Sequence, residues 1–104
     1  MGYFNIVKRG TLIAFYQKYP DAKKSIELWY SEIREKELAN FNELKAVYKK
    51  ASIVANNRVV FNIKGNNYRL VVKINFHTKH IFVIWFGTHN DYDKINVETI
   101  SYKK

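Results

Sequence analysis

The 104-residue sequence predicts an α+β fold with helices on one face of a small antiparallel sheet, and three observations carry that prediction. Apolar residues recur at helical spacing in the first half of the chain. Short runs rich in Val, Ile and Phe alternate with polar residues in the second half. Between two of those runs stands Gly65-Asn66-Asn67, a strong turn signal. Helices first and strands second argue for segregated layers rather than a parallel α/β sheet.

Residues 4–7 suit a short first strand. Leu12, Phe15, Tyr16 and Tyr19 then follow helical spacing, and Pro20 closes that helix because the residue before a proline is pushed out of the helical region. Asp21 is placed to cap the next helix. Ala22, Ile26, Trp29, Tyr30 and Ile33 form its apolar stripe, and Lys23, Lys24, Glu27, Glu32 and Arg34 its polar face. Asn40 with Glu43 three residues on resembles a capping box and opens a short helix carrying Phe41, Leu44, Val47 and Tyr48. Residues 52–57 are polar enough for a loop. Strands are expected over 58–64, 68–75 and 80–86, with a weaker turn at 76–79. Residues 90–95 suit a short helix or an extended turn. There is no internal repeat, and the length suits one domain over 1–104.

Strand phase sets the faces. A two-residue loop at Gly65-Asn66 places Asn62 opposite Arg69 and Arg58 opposite Lys73. Arg58, Asn62, Lys64, Arg69 and Lys73 then share one side, while Phe61, Ile63, Tyr68, Leu70, Val72 and Ile74 meet the helices. A slip of one residue would exchange the two sets.

Composition narrows the function. The chain is 47% hydrophobic and 16% aromatic, with eight Tyr and seven Phe, so rings must fill much of the core. The formal charge of +9 and pI near 9.8 predict an anionic partner, nucleic acid first and an anionic membrane surface second. No uncharged apolar run is long enough for a transmembrane helix, and no apolar signal segment opens the chain, so a cytoplasmic protein is expected. The absence of cysteine excludes disulfides and thiolate metal sites. The three histidines lack metal-ligand spacing, no glycine-rich phosphate loop occurs, and no sequence context supports a Ser/His/Asp triad. No cofactor is expected.

The residues suited to chemistry gather where the last two strands pair. Antiparallel pairing brings Arg69 close to Thr88 and His89. His89 titrates near neutrality and can exchange protons, or it is a surface histidine in a local turn. Arg69 and Lys64 can hold a phosphate and offset charge that develops during reaction, or are solvated strand residues. Tyr92 can stack on a base, donate to a phosphate oxygen or pack. Arg58 and Lys73 fit electrostatic binding better than chemistry. Asn66 fits turn geometry, with a base contact as the alternative. Asp91 and Asp93 fit turn capping better than orientation of His89, and His77 and His80 simply bracket a turn. Lys8, Arg9, Lys18, Lys23, Lys24, Lys45, Lys49 and Lys50 are spread over the helical half, and their number favours a large polyanion such as structured RNA.

The run Arg58-Val59-Val60-Phe61-Asn62-Ile63-Lys64-Gly65-Asn66-Asn67-Tyr68-Arg69-Leu70 resembles the central block of HigB-type toxins, mRNA interferases of bacterial type II toxin–antitoxin systems within the RelE-like superfamily. Thr88-His89-Asn90-Asp91-Tyr92-Asp93-Lys94-Ile95 resembles their C-terminal block, and Phe15 through Trp29, with Pro20 and Ala22, fits their N-terminal helices. The resemblance implies a RelE-like fold and cleavage of mRNA in the ribosomal decoding site. It implies a cognate helix-turn-helix antitoxin of HigA type, with operator DNA reached only through the antitoxin complex. It assigns Arg69, His89 and Tyr92 to the scissile phosphate, with Lys64 and Asn66 beside them. Attack by the nucleotide's own 2′-hydroxyl is the expected reaction. Two rival classes stay open: a relative that inhibits a target such as DNA gyrase by binding, and a plain RNA-binding module.

Overall fold

The alternating runs of the second half fold into an antiparallel meander, and a strand from the start of the chain joins its far edge. The computed structural model describes residues 4–7 and 9–100, the Arg9 side chain excepted; Lys8 and that side chain, both counted in the basic set above, lie outside the described residues. The strands are β1 (Asn5–Val7), β2 (Ser52–Val54), β3 (Arg58–Ile63), β4 (Tyr68–Asn75) and β5 (His80–Thr88), in the sheet order β1-β5-β4-β3-β2. The sheet is mixed rather than purely antiparallel, because β1 runs parallel to β5. A parallel pair needs a long connection, and here the helices and three other strands lie between the two. The Asn5 N–H seals the junction by donating to Lys79 O at 2.8 Å.

Helices α1 (Arg9–Lys18), α2 (Lys23–Arg34) and α3 (Phe41–Val47) lie between β1 and β2, and α4 (His89–Tyr92) follows β5. Pro20 ends α1 as expected and opens a 3-10 turn, Pro20–Ala22, that redirects the chain into α2. Ile26, Trp29 and Ile33 recur on one face of α2 and are buried. They join a core with Phe61, Ile63, Leu70, Val72, Ile74, Ile81, Val83 and Phe86. Each fully buried side chain of this size contributes about 1.5–3 kcal/mol. Rings fill much of it: Trp29 and Tyr48 meet Phe61 edge-on at 5.4 and 5.2 Å, and Phe15 stacks on Phe86 at 5.4 Å. Asn40 caps α3 by accepting the Glu43 N–H at 2.9 Å. Glu43 returns the bond to the Ala39 N–H at 2.8 Å, one residue before the usual capping-box donor.

The β3–β4 hairpin has the expected register, with Asn62 opposite Arg69 and Arg58 opposite Lys73. Three other expectations are corrected. Residues 52–54 are not loop but the edge strand β2, which pairs with 58–60 across a turn that Asn56 and Asn57 make in the left-handed region (φ 63° and 60°). Strand β5 runs on to Thr88. It also carries a bulge: Val71 pairs with Trp85 but Val72 pairs with Val83, so Ile84 is the extra residue. Asp21 does not cap α2; its carboxylate accepts bonds from the Tyr68 hydroxyl at 2.7 Å and the Lys64 ammonium at 3.0 Å.

Candidate active site

The site forms where the hairpin turn meets the end of β5. The turn 64–67 is closed by Asn67 N–H donating to Lys64 O at 3.2 Å. Asn67 O in turn accepts the His89 N–H at 3.0 Å, which ties the turn to the start of α4. Thr88 caps that helix, its hydroxyl accepting the Asp91 N–H at 3.1 Å. Tyr92, near the end of the same short helix, is thereby carried to Arg69: the guanidinium carbon lies 5.9 Å from the ring centroid. Both residues are half-buried, and a cation over an aromatic face is worth about 0.5–2 kcal/mol between exposed and desolvated settings. Arg69 is held from below by the carbonyls of Asn66 at 3.2 Å and Tyr68 at 3.3 Å.

Two residues absent from the sequence reading complete the arrangement. Trp85 packs against Tyr92, ring centroids 6.3 Å apart. Arg69 pairs with Gly87 and Val71 with Trp85, so Trp85, Gly87 and Arg69 share the sheet face opposite the helices. The Trp85 indole lies over Gly87, where a Cβ would stand 2.6 Å from Cη2. A glycine two residues after a tryptophan in a strand run was the available signal.

His89 sits three residues before Tyr92 with half of its side chain exposed, and its Nδ1 is 3.9 Å from Asp93 Oδ2. That separation is too long for a hydrogen bond, so the carboxylate attracts the ring only when it is protonated. Arg69, Tyr92 and His89 therefore occupy one sheet end, with Trp85 and Gly87 supporting them.

Lys64 is not beside Arg69. The sequence places it on that face by extending strand alternation one residue too far. Lys64 has left the strand, at φ 54°, and its ammonium turns to Asp21 on the helical side. A side-chain-bearing residue in the left-handed region costs about 1–2 kcal/mol, and the Asp21 contact offsets part of that. The Asp21 carboxyl is held below its usual range, first by the Tyr68 hydroxyl and then by Lys64. The Tyr68 phenol is pushed up to about 12, chiefly by that same bond. Lys64 thus braces the turn that carries Asn66 and Asn67. Asn66 contributes its carbonyl to Arg69, while its residue is exposed.

Arg58 is also occupied. It donates to the carbonyls of Val97 at 3.0 Å and Ile100 at 2.5 Å, and so pins the C-terminal segment across the sheet. Lys73, opposite it, is exposed. Lys23 and Lys24 begin α2 and Lys49 and Lys50 follow α3; all four are exposed, and they belong to the helical layer rather than to the face of Arg69. Lys45 is taken up locally, donating to Lys49 O and Ala51 O.

A basic α+β protein that gathers a cation, an imidazole and a phenol at one sheet end has a defined kinship. Residues 22–95 match the family described as HigB_toxin, RelE-like toxic component of a toxin-antitoxin system, and the chain belongs to that family. It is the toxin of a toxin–antitoxin pair, with a cognate antitoxin as its partner. The chain is similar to the mRNA interferase HigB of Escherichia coli O6:H1 strain CFT073, with 26% identity over 93 residues that cover 88% of this chain and 90% of that protein.

Proposed function

We propose that this toxin, a single domain over 1–104, is an endoribonuclease that cleaves mRNA on the ribosome and halts translation. The observation that carries the reading is the contact of Arg69 with Tyr92 beside His89, in a member of a toxin family whose E. coli relative is named an mRNA interferase. In the proposed reaction the 2′-oxygen attacks the adjacent phosphorus and the bond to the 5′-oxygen breaks. The products are a 2′,3′-cyclic phosphate and a 5′-hydroxyl, and the proton leaving the 2′-hydroxyl is balanced by the one the 5′-oxygen gains. His89 serves as general acid or base. Arg69 lies against the phosphate and offsets charge on its equatorial oxygens as it grows. Tyr92 holds the substrate and, through its ring, the guanidinium. Lys64 acts indirectly, by bracing the turn, and the lysines of the helical layer meet ribosomal RNA phosphates. The partner antitoxin is a helix-turn-helix protein of HigA type that reaches operator DNA with the toxin bound, and the pair works in the cytoplasm.

The test is cleavage of a defined mRNA, free and on translating ribosomes, with the product termini identified. Cyclic phosphate ends from wild type on ribosomes, and their loss in Arg69→Ala, are expected. Intact message under both conditions, in cells whose growth the toxin still stops, would replace cleavage with inhibition by binding.

A further inference from the structure

Beyond the Arg69 end the outer face is closed over at Val60 and Val71, 2% and 0% exposed, and opens again in a groove that the proposed reaction does not use. Cross-strand pairing lays its residues in rows: Asn62, Arg69 and Gly87; then Val60, Val71 and Trp85; then Arg58, Lys73 and Phe82. The last row lines a groove of about 490 Å³ that Asn57 and Asn75 also border, and no carboxylate among the described residues lines it. Along β4 it lies four residues from Arg69, about 13 Å at the rise of a strand.

Each row member has a part. Arg58, bonded to the carbonyls of Val97 and Ile100, holds the C-terminal segment in place, and Asn56 does the same through Glu98 O at 2.9 Å. The Arg58 Nε stays buried with no hydrogen-bond partner among the described residues. Lys73 is exposed and makes no ion pair among the described residues. Phe82 is half-buried, and the His80 ring lies beside it at 6.1 Å. An aromatic ring next to a free cation, on the face that carries Arg69, is the combination that holds single-stranded nucleic acid: bases stack on the ring and a phosphate meets the charge.

We propose that this groove is a second nucleotide subsite, taking an unstacked base of single-stranded RNA on Phe82 and its phosphate on Lys73. The strand that is cut at Arg69 would thus be read at a neighbouring nucleotide, and Phe82 would set the sequence context of cleavage. The assignment rests on the ribonuclease reading, so its test has an arm that does not need cleavage.

Phe82→Leu keeps bulk and removes the ring; Phe82→Tyr restores a ring; Lys73→Ala removes the charge. Each is compared with wild type by thermal melting, by affinity for a short single-stranded RNA oligonucleotide, and by mapping of cut sites on ribosome-bound message. A lost base stack weakens binding by about 5- to 150-fold. The expected result is that loss in Phe82→Leu with an unchanged melt, near-wild-type affinity in Phe82→Tyr, a flatter salt dependence in Lys73→Ala, and a broadened cut-site pattern only where the ring is gone. If wild type cuts nothing, the ribonuclease reading fails, and the oligonucleotide arm still decides the groove. Unchanged affinity in Phe82→Leu, no binding of the oligonucleotide by wild type, or loss of antitoxin binding with RNA affinity intact would each overturn the subsite.

Discussion

Gly87→Ala should damage the site from beneath. The new methyl would stand 2.6 Å from Cη2 and 2.7 Å from Cζ2 of Trp85. Carbon atoms rest at about 3.5–4.0 Å, so the indole must yield by about 1 Å. The strand is the harder part to move, because Gly87 is buried and paired with Arg69. The indole is half-buried and can tilt, and its neighbour Tyr92 stands 6.3 Å away. Overpacking costs about 1–3 kcal/mol, and replacing a glycine inside a strand returns about 0.5–1 kcal/mol. The net loss is at most about 2.5 kcal/mol, or up to roughly 20 °C in Tm at this chain length. Growth arrest after induced expression should weaken as well, since Tyr92 is moved off Arg69. Thermal melts of wild type, Gly87→Ala, Trp85→Leu and the double variant form a cycle. The loss caused by Gly87→Ala should vanish once the indole is gone. If the cost is the same in both backgrounds, the indole does not rest on Gly87 and the supporting role given to it is wrong.

Arg69→Ala should slow cleavage about 100- to 1000-fold while remaining folded; a normal single-turnover rate would remove Arg69 from the chemistry. His89→Gln should also slow it, since glutamine cannot transfer a proton at neutral pH, whereas His77→Gln, exposed in the 76–79 turn, should not. Stability should fall at both ends of the pH range. Asp21 has a lowered pKa, so its contribution is full above the unfolded value of 3.8 and is lost as pH falls through the lower folded value. Tyr68 has a raised pKa, so its contribution is full below 10.0 and is lost as pH climbs toward about 12. Tyr48, raised to about 12 by burial and then by Glu32, adds to that alkaline limb, so denaturation of Tyr68→Phe should show it reduced, not abolished. Arg58→Ala should free residues 97–100, and limited proteolysis should then cut there first; equal resistance would mean the two carbonyl bonds do not hold them.

The parts of this structure that the sequence reveals are those where local rules agree. In the hairpin, alternation over 58–63 and 68–75 and the turn chemistry of Gly65-Asn66 point to one register, and the structure has it. Proline 20 and Asn40 with Glu43 are likewise local signals, resolved within four residues. The misplaced side chains Asp21, Arg58 and Lys64 all have partners far along the chain. Asp21 has the sequence signature of a cap, but Tyr68, 47 residues away, takes its carboxylate. Arg58 looks like a free cation on an open face, because its acceptors lie 39 and 42 residues on. Lys64 continues the polar phase of its strand on paper, and only the left-handed backbone at that residue turns it to the other side.

The bulge in β5 shows why the supporting residues of the site are the hardest to read. Strict alternation from Ile81 and Val83 would send residue 85 to the core and residue 86 to the outer face. Phe86 is needed inside, where it stacks with both Phe15 and Tyr68, centroids 5.4 and 5.2 Å apart. One extra residue, Ile84, resolves the conflict by rephasing the strand after Val83. Its second consequence is on the opposite face, where Trp85 and Gly87 now stand in line with Arg69. Packing against the helices and construction of the site are therefore achieved by the same irregularity. Neither demand alone announces it, since Val83-Ile84-Trp85-Phe86 is an unbroken apolar run with no polar residue to mark the change of phase.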